Sequence, residues 1–149
     1  MPQITKNKKA LHNFEVLEKF EAGIVLSGQE VKSVKQGHIN LDGSYVRIKN
    51  DEAWLVSAQI PKYNRAGALP EYDPRQTRKL LLRRQEIRYL TGKTQEKGLT
   101  LIPVSVYTKR TKIKVEIGLA RGKKKHDKRN TIKKREDDRR IARAMKSIR

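Results

Sequence analysis

No cysteine occurs among the 149 residues, so disulfides and thiolate zinc sites are excluded. Long apolar runs are missing too. No stretch approaches the roughly 18 residues of a membrane span, and no wide apolar helical face suits a membrane surface, so no membrane partner is expected. Met1 to Asn13 has no signal-peptide-like apolar stretch, which points to the cytoplasm. Catalytic signatures are absent as well. The three histidines, at positions 12, 38 and 126, lie in different segments. There is no HExxH, no nucleophile elbow and no phosphate loop. Gly118 to Lys123 has neither the loop's spacing nor its following Ser/Thr. The expectation is a protein that is not an enzyme and needs no metal or cofactor. Acidic charge is scarce: 16 Asp/Glu face 36 Lys/Arg, a net charge of +20. That excess favours a nucleic-acid partner, because each cation placed on a phosphate releases counterions.

The charge is concentrated at the C-terminus. The last 29 residues, Arg121 to Arg149, carry 14 Lys/Arg against four acids, hence +10, half of the total. This segment has no aromatic residue, and its large apolar side chains are Ile132, Ile141, Met145 and Ile148. So little apolar surface cannot offset the entropy of ordering, and a tail that is disordered when free is expected over 121–149. A polyanion would match the charge and let a helix form on contact. Ile141, Met145 and Ile148, spaced i, i+4, i+7, would give that helix a narrow apolar stripe.

Residues 14–120 hold most of the aliphatic side chains and the single Trp, Trp54, enough for a modest core. Residues 1–13 read as a flexible polar lead-in. Phe14 to Leu26 reads as one bent strand or two short ones, with Gly23 at a bulge or corner. Ser27 and Glu30 have the spacing of a capping box, so a short helix opens there, with Val31 and Val34 inward. A strand is expected at Ile39–Leu41. Tyr45–Lys49 and Ala53–Val56 flank the turn signal Asn50-Asp51 and predict a hairpin. Pro61–Pro74 reads as a long loop. A short helix follows Gln85, and Thr100–Thr108 and Lys112–Leu119 are clear strands. Mainly β structure, an OB-like closed barrel of about six strands with two or three short helices, is the first choice.

Two basic clusters are candidate RNA contacts. Arg75, Arg78, Lys79, Arg83 and Arg84 bracket Leu80-Leu81-Leu82. This run is either a buried strand with solvated flanks or an RNA-facing edge whose Leu packs on an exposed nucleotide. Lys112 and Lys114 share the outward face of the last strand, solvated or RNA-facing. Gly122-Lys123-Lys124-Lys125 opens the tail.

Several motifs resemble one family in order and spacing: Glu21-Ala22-Gly23, Gly28-Gln29-Glu30-Val31-Lys32-Ser33, Ser44-Tyr45-Val46, Asp73-Pro74-Arg75 through Leu82, and Gly118 through Lys125-His126-Asp127-Lys128-Arg129. The chain is similar to the SmpB family of SsrA-binding proteins of bacterial trans-translation. The resemblance implies an OB-like core that binds the tRNA-like domain of transfer-messenger RNA (tmRNA). It also implies delivery to stalled ribosomes and a tail that becomes helical in the empty mRNA channel. The rRNA of the decoding centre is an implied partner, with alanyl-tRNA synthetase and elongation factor Tu reached through tmRNA. It assigns tmRNA binding to His12, Glu21, Leu81 and Lys114, and the basic run adds Lys79 and Arg83. It assigns decoding-centre function to Gly122, Lys123, Lys124, His126, Asp127, Lys128 and Arg129, and Met145 belongs to the distal apolar stripe. Arg83 stands where some relatives have a small polar residue, and Ala144 where some have a larger aliphatic one. The residues alone leave two alternatives, a structural ribosomal protein with a basic tail and, further off, a nuclease. They also leave two roles for Glu21: accepting hydrogen bonds from RNA, or orienting a neighbouring cation.

Overall fold

The computed structural model describes residues 3–123 and 129–148. Seven antiparallel strands run in the order β1-β6-β3-β4-β5-β2-β7, and β6 also pairs with β7. Six strands therefore close a ring: β2 (Phe14–Ile24), β3 (Tyr45–Lys49), β4 (Glu52–Val56), β5 (Arg78–Leu81), β6 (Leu99–Lys109) and β7 (Lys112–Gly122). The remaining strand, β1 (Gln3–Lys6), is added along β6. Three short helices decorate the barrel: α1 (Lys8–Asn13), α2 (Gly28–Lys35) and α3 (Arg84–Lys93). A longer one, α4 (Arg129–Ile148), follows.

The closed, mainly β class agrees with the sequence reading, and the details differ in instructive ways. Residues 3–13 are ordered. Asn7 is buried, its backbone N–H donates to Val104 O at 2.9 Å and its Nδ2 to Pro103 O at 2.9 Å. Its side chain also accepts from the Ala10 N–H and so caps α1. A polar residue satisfied in this way leaves no hydropathy signal. Below α1, Ala10, Leu11, Phe14 and Val16 pack on Ile102, Val104 and Ala120 as a small second core. Ile39–Leu41 forms only a single bridge, Asn40 to Gln59, and not a strand. β2 is one continuous strand, and its bulge lies between Val16 and Glu18 rather than at Gly23.

Other local signals were read correctly for physical reasons. Ser27 and Glu30 make the reciprocal capping box, with Glu30 N–H to Ser27 Oγ at 3.3 Å and Ser27 N–H to Glu30 Oε1 at 3.0 Å. Asn50 and Asp51 both have positive φ, 53° and 59°, the geometry of a two-residue hairpin turn whose twist matches the strands.

Arg78 is the clearest correction to the basic run. It is a buried side chain, not a solvated flank or an RNA contact. Its guanidinium pairs with Glu30, with Nε to Oε2 at 2.8 Å. Further bonds go to the Ala58, Gln76 and Pro74 carbonyls and the Tyr72 hydroxyl. Tyr72 and Gln76 also donate to Glu30. This network ties the loop of residues 61–77 to α2 and β5. Burial pushes the Glu30 carboxyl up, but the Arg78 charge and the Ser27 N–H outweigh it, so its pKa lies below the ordinary value.

Candidate nucleic-acid interface

On the outer face of the barrel, strand register puts three predicted residues in one place. Gly23 of β2 faces Leu81 of β5 on one side and Lys114 of β7 on the other. Lys114 in turn faces Tyr107 of β6. Leu81, Gly23, Lys114 and Tyr107 thus form a row across four strands. Glycine leaves a notch in that row, since a Cβ there would touch Leu81 at 3.4 Å. Leu81 is 53% exposed, unusual for a leucine beside a core. An exposed aliphatic side chain beside a notch and a cation suits a splayed nucleotide whose base packs while its phosphate is neutralised.

Glu21 lies two residues before Gly23 on the same face. It accepts from the Tyr107 hydroxyl at 2.5 Å and from Lys109 Nζ at 3.2 Å. The Tyr107 bond, followed by the Lys109 and Lys114 charges, outweighs desolvation and lowers its pKa. Burial and the Glu21 carboxylate together push the Tyr107 phenol well up. Of the two roles open to Glu21, this geometry supports orienting a cation, Lys109. Lys79 shares the outward face of β5 with Leu81 and reaches Glu52 at 3.6 Å. Arg83 is exposed two residues past Leu81, where its N–H donates to Glu86 and helps start α3. A groove of about 490 Å³ opens beside Leu81, with Lys79, Arg84 and Arg88 on its walls.

Other predicted residues are elsewhere. His12, exposed in the last turn of α1, is at the opposite end of β2. Phe14 faces Gly122, and the Lys123 N–H bonds to Asn13 O at 3.0 Å. His12, Gly122 and Lys123 therefore share the end from which the tail departs. The nine-residue strand step from Phe14 to Gly23 is roughly 30 Å. Lys124, His126, Asp127 and Lys128 lie outside the described residues; Arg129 opens α4. Met145 packs near Trp54, Val56, Ile141 and Ala144.

Tyr107, Lys109 and Arg88 were missed in the sequence. Their places depend on register and on a helix crossing, and neither leaves a local motif. The notch at Gly23 was read as a bend because a strand glycine signals only a missing Cβ, not what fills the space.

Among the described residues no cluster could hold a metal ion, and no helix is long and apolar enough to cross a membrane. A closed antiparallel barrel with a cation-lined outer face is an OB-like nucleic-acid-binding architecture. Comparison with known proteins narrows the class. A family model described as SmpB protein matches residues 4–147. The SsrA-binding protein of Acaryochloris marina is 52% identical over 96% of this chain and 93% of its own length. That of Trichormus variabilis is 51% identical over 97% and 93%. A solved chain from "tmRNA-SmpB: a journey to the center of the bacterial ribosome" superposes with a TM-score of 0.69, at 44% identity, over 86% of this chain and 89% of that one. The chain belongs to the SmpB family, whose members are RNA-binding adaptors and not enzymes.

Proposed function

We propose that this protein binds the tRNA-like domain of tmRNA and brings it to stalled ribosomes in trans-translation. The basic tail, 121–149, acts as a separate module that senses the empty mRNA channel. The observation that carries this reading is the row Leu81, Gly23, Lys114 and Tyr107, with Glu21 beside it, far from the root of the tail. One end of the barrel can hold the RNA while the other presents Gly122, Lys123 and the residues after them to the decoding centre. His12, at the tail's end of the barrel, contacts RNA from that second position. Alanyl-tRNA synthetase and elongation factor Tu join through the RNA, not through the barrel.

An adaptor is recruited, whereas a structural ribosomal protein is resident. Quantitative mass spectrometry of purified ribosomes is expected to find this chain well below one copy per ribosome and enriched on ribosomes stalled without a codon. One copy on every ribosome would contradict the reading. Lys114→Ala should also lower the slope of log K against log salt for the tRNA-like domain, by about 0.9 for one lost phosphate contact. An unchanged slope would remove Lys114 from the interface.

A further inference from the structure

Side chains on one face of a strand recur at every second residue, so the rows on either side of the Gly23 row follow from the same register. Toward the tail's end of β2, the next row is acidic. Glu21 faces Glu116 of β7 across the ladder. Each carboxylate holds one lysine. Glu21 pairs with Lys109 at 3.2 Å, and Glu116 pairs with Lys19 at 3.7 Å. This row therefore offers a phosphate no spare cation.

On the other side of the notch the pattern inverts. Val25 continues past the end of β2, and its N–H donates to Lys79 O of β5 at 2.9 Å. Extending the Gly23–Lys114 pairing by one same-face step brings Lys112 of β7 to the other flank of Val25. Val25 thus lies between two cations. Lys79 keeps a 3.6 Å contact with Glu52. Lys112 is exposed, and its side chain makes no ion pair or hydrogen bond among the described residues.

Val25 is 46% exposed. Its neighbours Ile24 and Leu26 pack on the core, so the barrel does not need an aliphatic side chain between them. Strand propensity would be met equally by threonine. An exposed aliphatic side chain beside an uncommitted lysine is what the first row has in Leu81 and Lys114. The second row repeats it in Val25 and Lys112. The two rows are about 7 Å apart along the strands, two residues of β rise. That is close to the step from one nucleotide to the next in an extended strand.

We propose that Val25 and Lys112 form a second nucleotide subsite beside the Gly23 notch. The RNA strand seated at the notch runs on toward Val25, away from Glu21 and Glu116. Its occupant is the nucleotide adjoining the one at Leu81. The base or ribose packs on Val25, and the phosphate lies by the Lys112 ammonium. The inference deepens the proposed function and rests on it. β2 is paired on both sides here, with β5 and β7. No free backbone edge is offered to a peptide strand, which leaves side-chain contacts of the kind an RNA strand uses. Aliphatic packing and a phosphate contact read no base edge, so this subsite adds affinity and fixes the path of the strand without selecting its sequence.

The test titrates the full chain with the tRNA-like domain of tmRNA over a range of salt. Lys112→Ala should lower the slope of log K against log salt by about 0.7–0.9, one phosphate contact. Lys19→Ala removes the same charge from the same outer face, beyond the two acids, and should leave the slope unchanged. Val25→Glu should weaken binding by about tenfold or more, since it sets a carboxylate against phosphate. Val25, Lys19 and Lys112 are all exposed, so thermal unfolding should stay at the wild-type temperature and separate lost contacts from misfolding. A benzophenone side chain in place of Val25 should cross-link to a nucleotide adjoining the one reached from position 81.

An unchanged slope in Lys112→Ala, where Lys114→Ala lowers it, would overturn this proposal and leave the Gly23 row standing. So would wild-type affinity in Val25→Glu. A slope lowered by Lys19→Ala would also overturn it, because the strand would then cross the acids. No effect from either Lys112→Ala or Lys114→Ala would sink the interface at the Gly23 row itself, and this subsite with it.

Discussion

Replacing Asp127, Lys128 and Arg129 together with alanine is expected to bring peptide tagging in a reconstituted reaction down to the background without the protein. Affinity for the tRNA-like domain should change by less than about threefold. The physical reason is distance. Lys123 is fixed to Asn13 at the far end of β2 from Gly23, roughly 30 Å away along the strand. Six further residues, to Arg129, reach at most about 22 Å even if they fold straight back toward Gly23. The Debye length at physiological salt is about 8 Å, so charge changes there are screened from the Gly23 notch. On the proposed function, loss of rRNA contacts by the tail therefore has no direct route to RNA held at the barrel's Gly23 row. A loss of RNA affinity of tenfold or more would mean that the two ends are not separate modules.

The second large effect is on stability. Glu30→Ala should cost about 3–5 kcal/mol, because it leaves the buried Arg78 charge without its partner. For a chain of this size that is roughly a 10 °C fall in Tm. The loop of residues 61–77 should lose protection first, since Tyr72 and Gln76 reach α2 through Glu30. Glu30→Leu combined with Arg78→Met should recover much of the loss, since an apolar pair of similar volume carries no desolvation penalty. A double variant no better than the single one would assign the loss to packing. The pH dependence follows in sign. The Glu30 pKa is lowered in the fold, so its contribution is fully present above the ordinary 4.5 and is lost as pH falls below that value. Acid unfolding of Glu30→Gln should lack that component.

Local chemistry was the legible part. The capping box at Ser27 and Glu30 and the turn at Asn50-Asp51 are encoded in a few adjacent residues, and so is the alternation of β7. They were read correctly. Features set by long-range pairing were not legible. Arg78 looked like any other member of a basic run, because its partner Glu30 lies 48 residues earlier. Asn7 looked like part of a polar lead-in, because its acceptor is Pro103. Within the candidate interface, Glu21, Leu81 and Lys114 came from the family resemblance. Their convergence on Gly23 depends on the register of β5, β2 and β7, which no local pattern states. His12 shows the converse: residues assigned to one function need not share one patch.

The most direct test of the central claim is competition binding at near-physiological salt. The tRNA-like domain of tmRNA would be set against an ordinary tRNA, on the full chain and on two variants. Wild type and the Asp127, Lys128, Arg129 triple variant should both prefer the tRNA-like domain strongly. Leu81→Ala with Lys114→Ala should lose that preference and keep only salt-sensitive binding to both RNAs. Equal binding of the two RNAs by the wild type, unchanged by the barrel substitutions, would contradict the account.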